Sequence, residues 1–371
     1  MKHMETKVYI PFKATHPGSI LKDELDYRGI SQKEFAQDIG MQKTMLNEII
    51  KGKRAITAEI ALSLEKSLEI KADSWMRHQA GYELDCLRIQ ERNIRKTQQI
   101  EIWGLIKQYV PVNIFNKLGL LTHSLANNIS KIWEIYEVNS IDLLVERVSV
   151  HKNKEYYKKS EKLKNDQINI FAWSRLAQWQ AKSEIVGIFD AKNKDTIIME
   201  LKALFYGNKD VVSKTKTILN EYGIKFLVIE KFNQSPIDGY SFWSINNPAI
   251  VVTMRKKLLD HFAFTVLHEL GHVFEHLQPN LTEEFLDIEY PNSNIVEKEQ
   301  EANRFARQCF IDDAVWQRFL IENPTFSYTN TEKQMVQFAS NLKIHPSIIF
   351  GRYCFETNQF VVKTGIERTI N

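Results

Sequence analysis

The chain reads His268-Glu269-Leu270-Gly271-His272, two histidines four residues apart with a glutamate directly after the first. On a helix, residues at this spacing share a face, so both imidazoles can reach one cation at about 2.0–2.1 Å. Glu269 is rotated by about 100° from His268 and can instead face a water held at that cation. Phe262, Phe264, Val266, Leu267, Val273 and Phe274 surround the pair. Such an apolar wall keeps the local dielectric low and strengthens a Lewis acid.

A third ligand is needed. The residues three and six after the second histidine are Glu275 and Gln278, not the glycine and histidine of the metzincin pattern. His276 lies two helical turns past His268, about 12 Å along the axis, too far to share the ion unless the helix breaks. A carboxylate from another helix is expected instead, within Glu297-Lys298-Glu299-Gln300-Glu301-Ala302-Asn303-Arg304-Phe305-Ala306. Ala302 and Ala306 permit close helix approach, and Phe305 is expected to pack inward. Glu301 precedes Phe305 by four residues and shares its face, so it is the expected ligand, with Glu297 as second candidate. Lys298, Glu299 and Gln300 are assigned to the solvated face. Zinc suits this nitrogen and oxygen set. Gly271 inside a helix costs about 1 kcal/mol relative to alanine and is expected to admit a neighbouring segment. His261, His276, Tyr290, His345 and Cys309 are expected to be structural.

A second constellation lies near the N-terminus. Ser31-Gln32-Lys33-Glu34 is a capping box that opens a helix. Ala36 must be small where a second helix crosses it, Gly40 permits the turn, and Leu46 and Ile49 anchor the second helix. Gln42, Lys43, Thr44 and Asn47 then face outward, types that hydrogen-bond base edges. Gln32 at the first helix start, and Lys51, Lys53 and Arg54 past the second helix, are expected on the DNA, the cations near phosphates. Glu48 among these cations makes the second helix less basic, so affinity is expected to depend on dimerisation and low salt.

These motifs need elements to hold them. Three parts follow from the patterning: a helix-turn-helix domain over 1–100, a helical connecting region over 101–194, and the histidine-bearing domain over 195–371. The first carries 17 Lys and Arg against 14 Asp and Glu. Apolar residues recur at helical spacing through Ile60, Ala61, Leu64 and Leu68, then Ile132, Trp133 and Tyr136. Trp173 and Trp179 are expected in the core. Residues 151–164 hold six lysines against two glutamates, a pattern typical of a solvated face. Ile224 to Ile229, Ser241 to Ser244 and Ala249 to Thr253 read as short strands, with Pro236-Ile237-Asp238-Gly239 as a turn. Long helices are expected from Asp260 and from Ile295 to Cys309. The fold class is mainly α with a small β-sheet.

Composition sets bounds on this. Of 371 residues 43% are hydrophobic and 26% charged, with a net charge of +3. That excludes a disordered or collagen-like chain. No uncharged apolar run approaches the roughly 18 residues of a membrane span. Met-Lys-His-Met-Glu-Thr has no apolar stretch behind its charge, so no secretory leader is expected. Cys86, Cys309 and Cys354 are few and far apart, which suits a reducing cytoplasm.

The first 90 residues resemble the HigA-type antitoxins of the broader XRE-type helix-turn-helix group. The resemblance rests on His16-Pro17-Gly18, Ser31-Gln32, Gly52-Lys53-Arg54, Ile56-Thr57-Ala58-Glu59 and Trp75. It implies a homodimer on a double-stranded DNA operator, repressing its own promoter. Residues from about Asn220 to Arg352 resemble the ImmA/IrrE zinc metallopeptidases. Here the resemblance rests on Ile237-Asp238-Gly239, Phe264-Thr265, Leu267 to His272, and Glu301-Ala302-Asn303 with Phe305-Ala306. It departs at Cys309-Phe310-Ile311-Asp312, where the family has an apolar pair and a proline. Carried over by position, it implies a gluzincin-like domain with His268, His272 and Glu301 as zinc ligands and Glu269 as general base, cleaving a helix-turn-helix repressor.

Together these give a cytoplasmic transcription regulator carrying a zinc endopeptidase. The alternative is a non-catalytic antitoxin or repressor whose C-terminal half only contacts a toxin.

Overall fold

A computed structural model describes residues 10–153, 162–233, 235–288, 296–323, 331–357 and 364–371. Most of the lysine run, 154–161, and Tyr290 lie outside the described residues. The chain divides into two compact units, Met1–Trp103 and Gly104–Asn371.

The first unit is helical: α1 (Pro17–Arg28), α2 (Gln32–Asp38), α3 (Lys43–Ile50), α4 (Ala58–Leu68) and the start of α5 (Ala72–Tyr109). Each early start has a local cause. His16 caps α1, with Pro17 at the first helical position, where its missing N–H costs nothing. Ser31 and Glu34 form the full reciprocal capping box on α2, and the Thr57 hydroxyl accepts from Ile60 N–H to open α4. Gly40 sits at φ 66° between α2 and α3, a left-handed value that glycine tolerates best. Leu21, Ala36, Leu46, Ile49, Leu64 and Trp75 close one apolar core. Gly18 is a packing glycine: a Cβ there would stand 1.8 Å from the Ile49 carbonyl oxygen.

The second unit continues with α6 (Val112–Lys117), α7 (Leu125–Tyr136), α8 (Ile141–Asn153), α9 (Lys162–Ser183), α10 (Lys194–Gly207) and α11 (Val211–Glu221). Next come β1 (Lys225–Val228), β2 (Ile237–Ser244), β3 (Asn247–Val252), α12 (Leu259–Gly271) and β4 (Glu284–Ile288). It ends with α13 (Val296–Phe310), α14 (Asp313–Glu322), α15 (Thr331–Leu342) and α16 (Pro346–Glu356). The strands form one mixed sheet in the order β1-β3-β2-β4. β1 runs parallel to β3, while β2 is antiparallel to both β3 and β4. The fold is thus mainly α with a small sheet, as the patterning indicates.

The sheet is covered on both sides. Phe226, Ile250 and Val252 share a core with Phe262, Val266 and Leu270 of α12. On the other face the indole N–H of fully buried Trp173, from α9, donates to the Glu230 carbonyl. The buried Lys225 ammonium donates to the Ala181 carbonyl near the end of α9 at 2.8 Å. Double coverage explains why β1 and β3 read as continuous apolar runs rather than alternating ones.

One local expectation fails. Ile237-Asp238-Gly239 is not a turn but the start of β2, where the register against β4 slips between Ile237 and Gly239. The glycine that signalled a turn marks a bulge. The extra residue, Asp238, accepts both Nε and Nη2 of Arg255 at 2.8 and 2.7 Å.

Candidate functional site

Four elements of the second unit converge on the histidine pair. α12 delivers His268 and Glu269, and at its end the backbone widens into a π-helical turn, His272–Leu277. β2 brings Gly239, β4 brings Phe285 and Asp287, and α13 crosses α12 at Gly271. A Cβ on Gly271 would lie 3.1 Å from the Ala302 α-carbon and 3.2 Å from Phe305. Gly271 therefore admits α13 to the site, as its place in a helix indicates.

His268 and His272 are almost fully buried, at 2% and 1% exposure. Their Nε2 atoms stand 3.1 Å apart. The Glu299 carboxylate completes a triangle, with Oε2 at 3.1 Å from His268 Nε2 and Oε1 at 3.4 Å from His272 Nε2. Donors around a tetrahedral zinc at about 2.0–2.1 Å lie about 3.3 Å from each other. The three separations match that edge length, so the residues present fit the metal.

The acid differs from the expected one. Glu301, expected at the imidazole pair, is exposed and accepts instead from His276 Nε2 at 2.9 Å. Glu297 is exposed, and Glu299, expected on the solvated face, lies at the pair. The cause is helix register. The close approach runs along Ala302 and Ala306, both fully buried. Glu299, three and seven residues before them, continues that stripe, whereas Glu301 aligns with the half-buried Phe305. Asn303, four residues after Glu299, meets His268 Nδ1 with its Oδ1 at 3.2 Å. The imidazole thus donates from Nδ1 and turns Nε2 toward His272 and Glu299, the usual outer support of a metal-binding histidine.

Glu269 is fully buried, and among the described residues neither carboxylate oxygen has a hydrogen-bond partner. Burial, with Asp287 and Glu299 nearby, pushes its pKa well above the usual carboxylate range. Burial likewise raises Asp287. Burial, only partly offset by the nearby Glu299 carboxylate, lowers His272 to about 4. Burial also works against the charge on His268, but Glu299, Asp287 and Glu269 overcome it and hold that group at about 9. Against the upward push of its own burial, Glu299 is held at about 2 by the adjacent His268 and His272 imidazoles. A centre with this much buried acid around two imidazoles is arranged for positive charge. Asp287 has no sequence signal beyond its place in the alternating Glu284-Phe285-Leu286-Asp287-Ile288.

Other expectations are met or displaced. Phe310 and Ile311, where the family pattern breaks, are buried and packed. Burial pushes the Cys309 thiol up to about 11. His345 caps α16. His261 Nε2 is 3.5 Å from Asp238. Trp173 is fully buried, while Trp179 is half-buried and donates to Glu134.

In the first unit, Gln42, Lys43, Thr44, Lys51, Lys53 and Arg54 are exposed, and Gln32 and Asn47 are half-buried. Gln42 is the N-cap residue of α3, with no side-chain capping bond, so its amide remains available. Leu46 and Ile49, on the opposite face of α3, are fully buried. Arg54 is paired with Glu48 at 2.8 Å, which competes with any phosphate.

Residues 21–75 match the helix-turn-helix family, and residues 220–343 match the IrrE N-terminal-like domain of the peptidase M78 family. Virulence-associated protein A of Dichelobacter nodosus is 42% identical over 71 residues, 19% of this chain and 70% of that protein. The chain belongs to the helix-turn-helix family and carries an IrrE-like domain. Among solved structures, an addiction module antidote protein of the HigA family from Coxiella burnetii is 29% identical. It covers 23% of this chain and 95% of its own, with a TM-score of 0.22. Pseudomonas aeruginosa antitoxin HigA, solved with the higBA promoter, is 30% identical over 24% of this chain and 92% of its own, with a TM-score of 0.20. The helix-turn-helix domain holds the polar face of α3. The IrrE-like domain holds the histidine–glutamate centre and belongs to a metallopeptidase-like family, which implies a metal.

Proposed function

We propose that the chain is an antitoxin-like, operator-binding regulator whose IrrE-like domain is a zinc-dependent endopeptidase acting on a regulatory protein, a helix-turn-helix repressor by preference. The observation that carries the catalytic half is the triangle of His268 Nε2, His272 Nε2 and the Glu299 carboxylate, with edges of 3.1, 3.1 and 3.4 Å. His268, His272 and Glu299 would hold zinc. When bound, zinc supplies a Lewis acid that polarises a peptide carbonyl and acidifies water. Glu269 takes the proton from the attacking water and returns it to the leaving amine nitrogen. Its burial supports this role, because a raised pKa brings a carboxylate toward the working pH of a proton shuttle. The apolar ring of Phe285, stacked on His272 at 4.3 Å between centroids, excludes bulk water from one side.

On the DNA side, Gln42, Lys43, Thr44 and Asn47 read base edges, and Gln32, Lys51, Lys53 and Arg54 contact the backbone. The reading helix has only eight residues, so two copies on two half-sites, a homodimer, suit a specific operator. Cys86, Cys309 and Cys354 are unpaired, which supports a reducing, cytoplasmic setting. Among the described residues no helix is long and apolar enough to cross a membrane.

The test is to incubate the purified chain with repressors encoded beside its gene, with and without a chelator. A single clip is expected that the chelator stops. Glu269→Gln should retain zinc and operator binding and lose the clip; a fully active variant removes Glu269 from the mechanism. A chain without zinc and without cleavage would be left as a binding antitoxin.

A further inference from the structure

The proposed centre has an unexplained neighbour. His276 is 6% exposed and has no part in the proposed mechanism. Its Nδ1 lies 3.0 Å from His272 Nδ1, and its Nε2 lies 2.9 Å from Glu301 Oε2. A carboxylate only accepts, so His276 must donate from Nε2 to Glu301. A neutral His276 then has Nδ1 as its acceptor, and His272 must donate to it from Nδ1. The remaining lone pair of His272 is on Nε2, the atom that faces His268 and Glu299. Every hydrogen bond in the chain from Glu301 to His276 to His272 thus has one consistent direction, and it ends on the ligand atom.

The backbone is built for this. His272 and His276 are the first and fifth residues of the π-helical turn. Such turns are rare and are found most often at functional sites. Here the turn accompanies a tilted meeting of the two imidazoles, with 48° between their planes, and both rings lie against Phe285, at 4.3 and 5.2 Å between centroids. His268 is served in the same sense by Asn303. The two imidazoles differ in that His268 leans on a neutral amide, whereas His272 leans on an imidazole backed by a carboxylate.

We propose that His276 and Glu301 form a positioning relay behind His272, fixing its tautomer and ring orientation so that Nε2 addresses the cation. Glu301 is then an outer support and not a ligand. The inference rests on the zinc site proposed above and deepens it. Neither residue touches the reacting atoms.

The experiment measures zinc affinity of the full chain by competition with a chromogenic chelator, and the visible spectrum of the cobalt-loaded chain. His276→Phe keeps a buried aromatic ring but offers no acceptor, and it should weaken zinc binding about 10- to 100-fold. His276→Asn places an amide oxygen near the former Nδ1 and should restore most of that loss, along with the intense tetrahedral cobalt band. Glu301→Ala, at an exposed position, should weaken zinc several-fold without lowering the melting temperature. His272→Ala, the direct-ligand control, should abolish binding. Wild-type zinc binding with His276→Phe and Glu301→Ala both within two-fold of it overturns the relay alone. A wild-type chain that binds no zinc overturns both the relay and the site it serves.

Discussion

Gly239 and Glu269 occupy one space: a Cβ built on Gly239 would stand 2.0 Å from Glu269 Oε1 and 2.7 Å from its carboxyl carbon. The carboxylate of α12 rests against bare backbone of β2. This is a stronger reason for glycine than the turn its neighbours suggested.

Gly239→Ala is therefore expected to displace the fully buried Glu269 carboxylate. The three atoms nearest such a Cβ all belong to Glu269 and none to the proposed metal ligands. Zinc content should stay at one per chain while cleavage falls by at least about 100-fold, the usual consequence of misplacing a reacting group by an ångström. Parallel zinc assay and cleavage of the repressor check it; retained cleavage would show that Glu269 does not act from its observed position.

Glu299 and Glu301 separate cleanly by mutation. Glu299→Ala removes one corner of the triangle and should leave the chain without tightly held zinc after dialysis, measured by atomic absorption. Glu301→Ala should still take up one zinc at saturating concentration. The reverse order of the two variants would return the ligand role to Glu301.

Asp238 links the bulge of β2 to pH. Burial opposes its charge, but His261 and Arg255 win and hold its pKa below the usual aspartate value. A folded pKa below the unfolded one, about 3.9, means that the stabilisation is complete above that value. It is lost as pH falls through the folded value. Asp238→Asn should cost about 1.5–3 kcal/mol at neutral pH, the range for hydrogen bonds to charged groups. The difference in melting temperature from wild type should be constant from about pH 5 to 7 and close below about pH 4. A gap that persists in acid would assign the loss to packing.

The face of α3 makes a separate prediction. Lys43→Ala and Asn47→Ala should each weaken binding to the promoter of the chain's own operon, by about 1–3 kcal/mol where a base contact is lost. Lys51→Ala should weaken all sequences alike and reduce the slope of log affinity against log salt by about one. Arg54→Ala should have less effect, since Glu48 already neutralises it. Unchanged affinity in both α3 variants would mean that this helix does not enter the groove.

Much of this was legible in order of residues alone. Local rules act over a few positions, so the capping box at Ser31, the turn at Gly40 and the anchors Leu46 and Ile49 all stand where spacing puts them. The paired imidazoles of His268 on α12 and His272 just past its end follow from helical periodicity in the same way, as does the close approach at Gly271. The third acid did not follow, because Glu297, Glu299 and Glu301 belong to one charged helix. Which of them faces inward depends on how α13 rotates against α12. That rotation is set by Ala302 and Phe305 meeting Gly271, a contact between residues about 30 apart in sequence.

Sequence by itself determined the helices, their caps and the two clusters of polar residue types, since backbone hydrogen bonding and side-chain period are properties of short segments. Only the tertiary structure decided that Glu299 meets the imidazoles, that Glu301 stands behind His276, and that Asp238-Gly239 is a bulge rather than a turn. Those outcomes depend on the packing of one element against another, where a rotation of a single helical step exchanges one carboxylate for its neighbour.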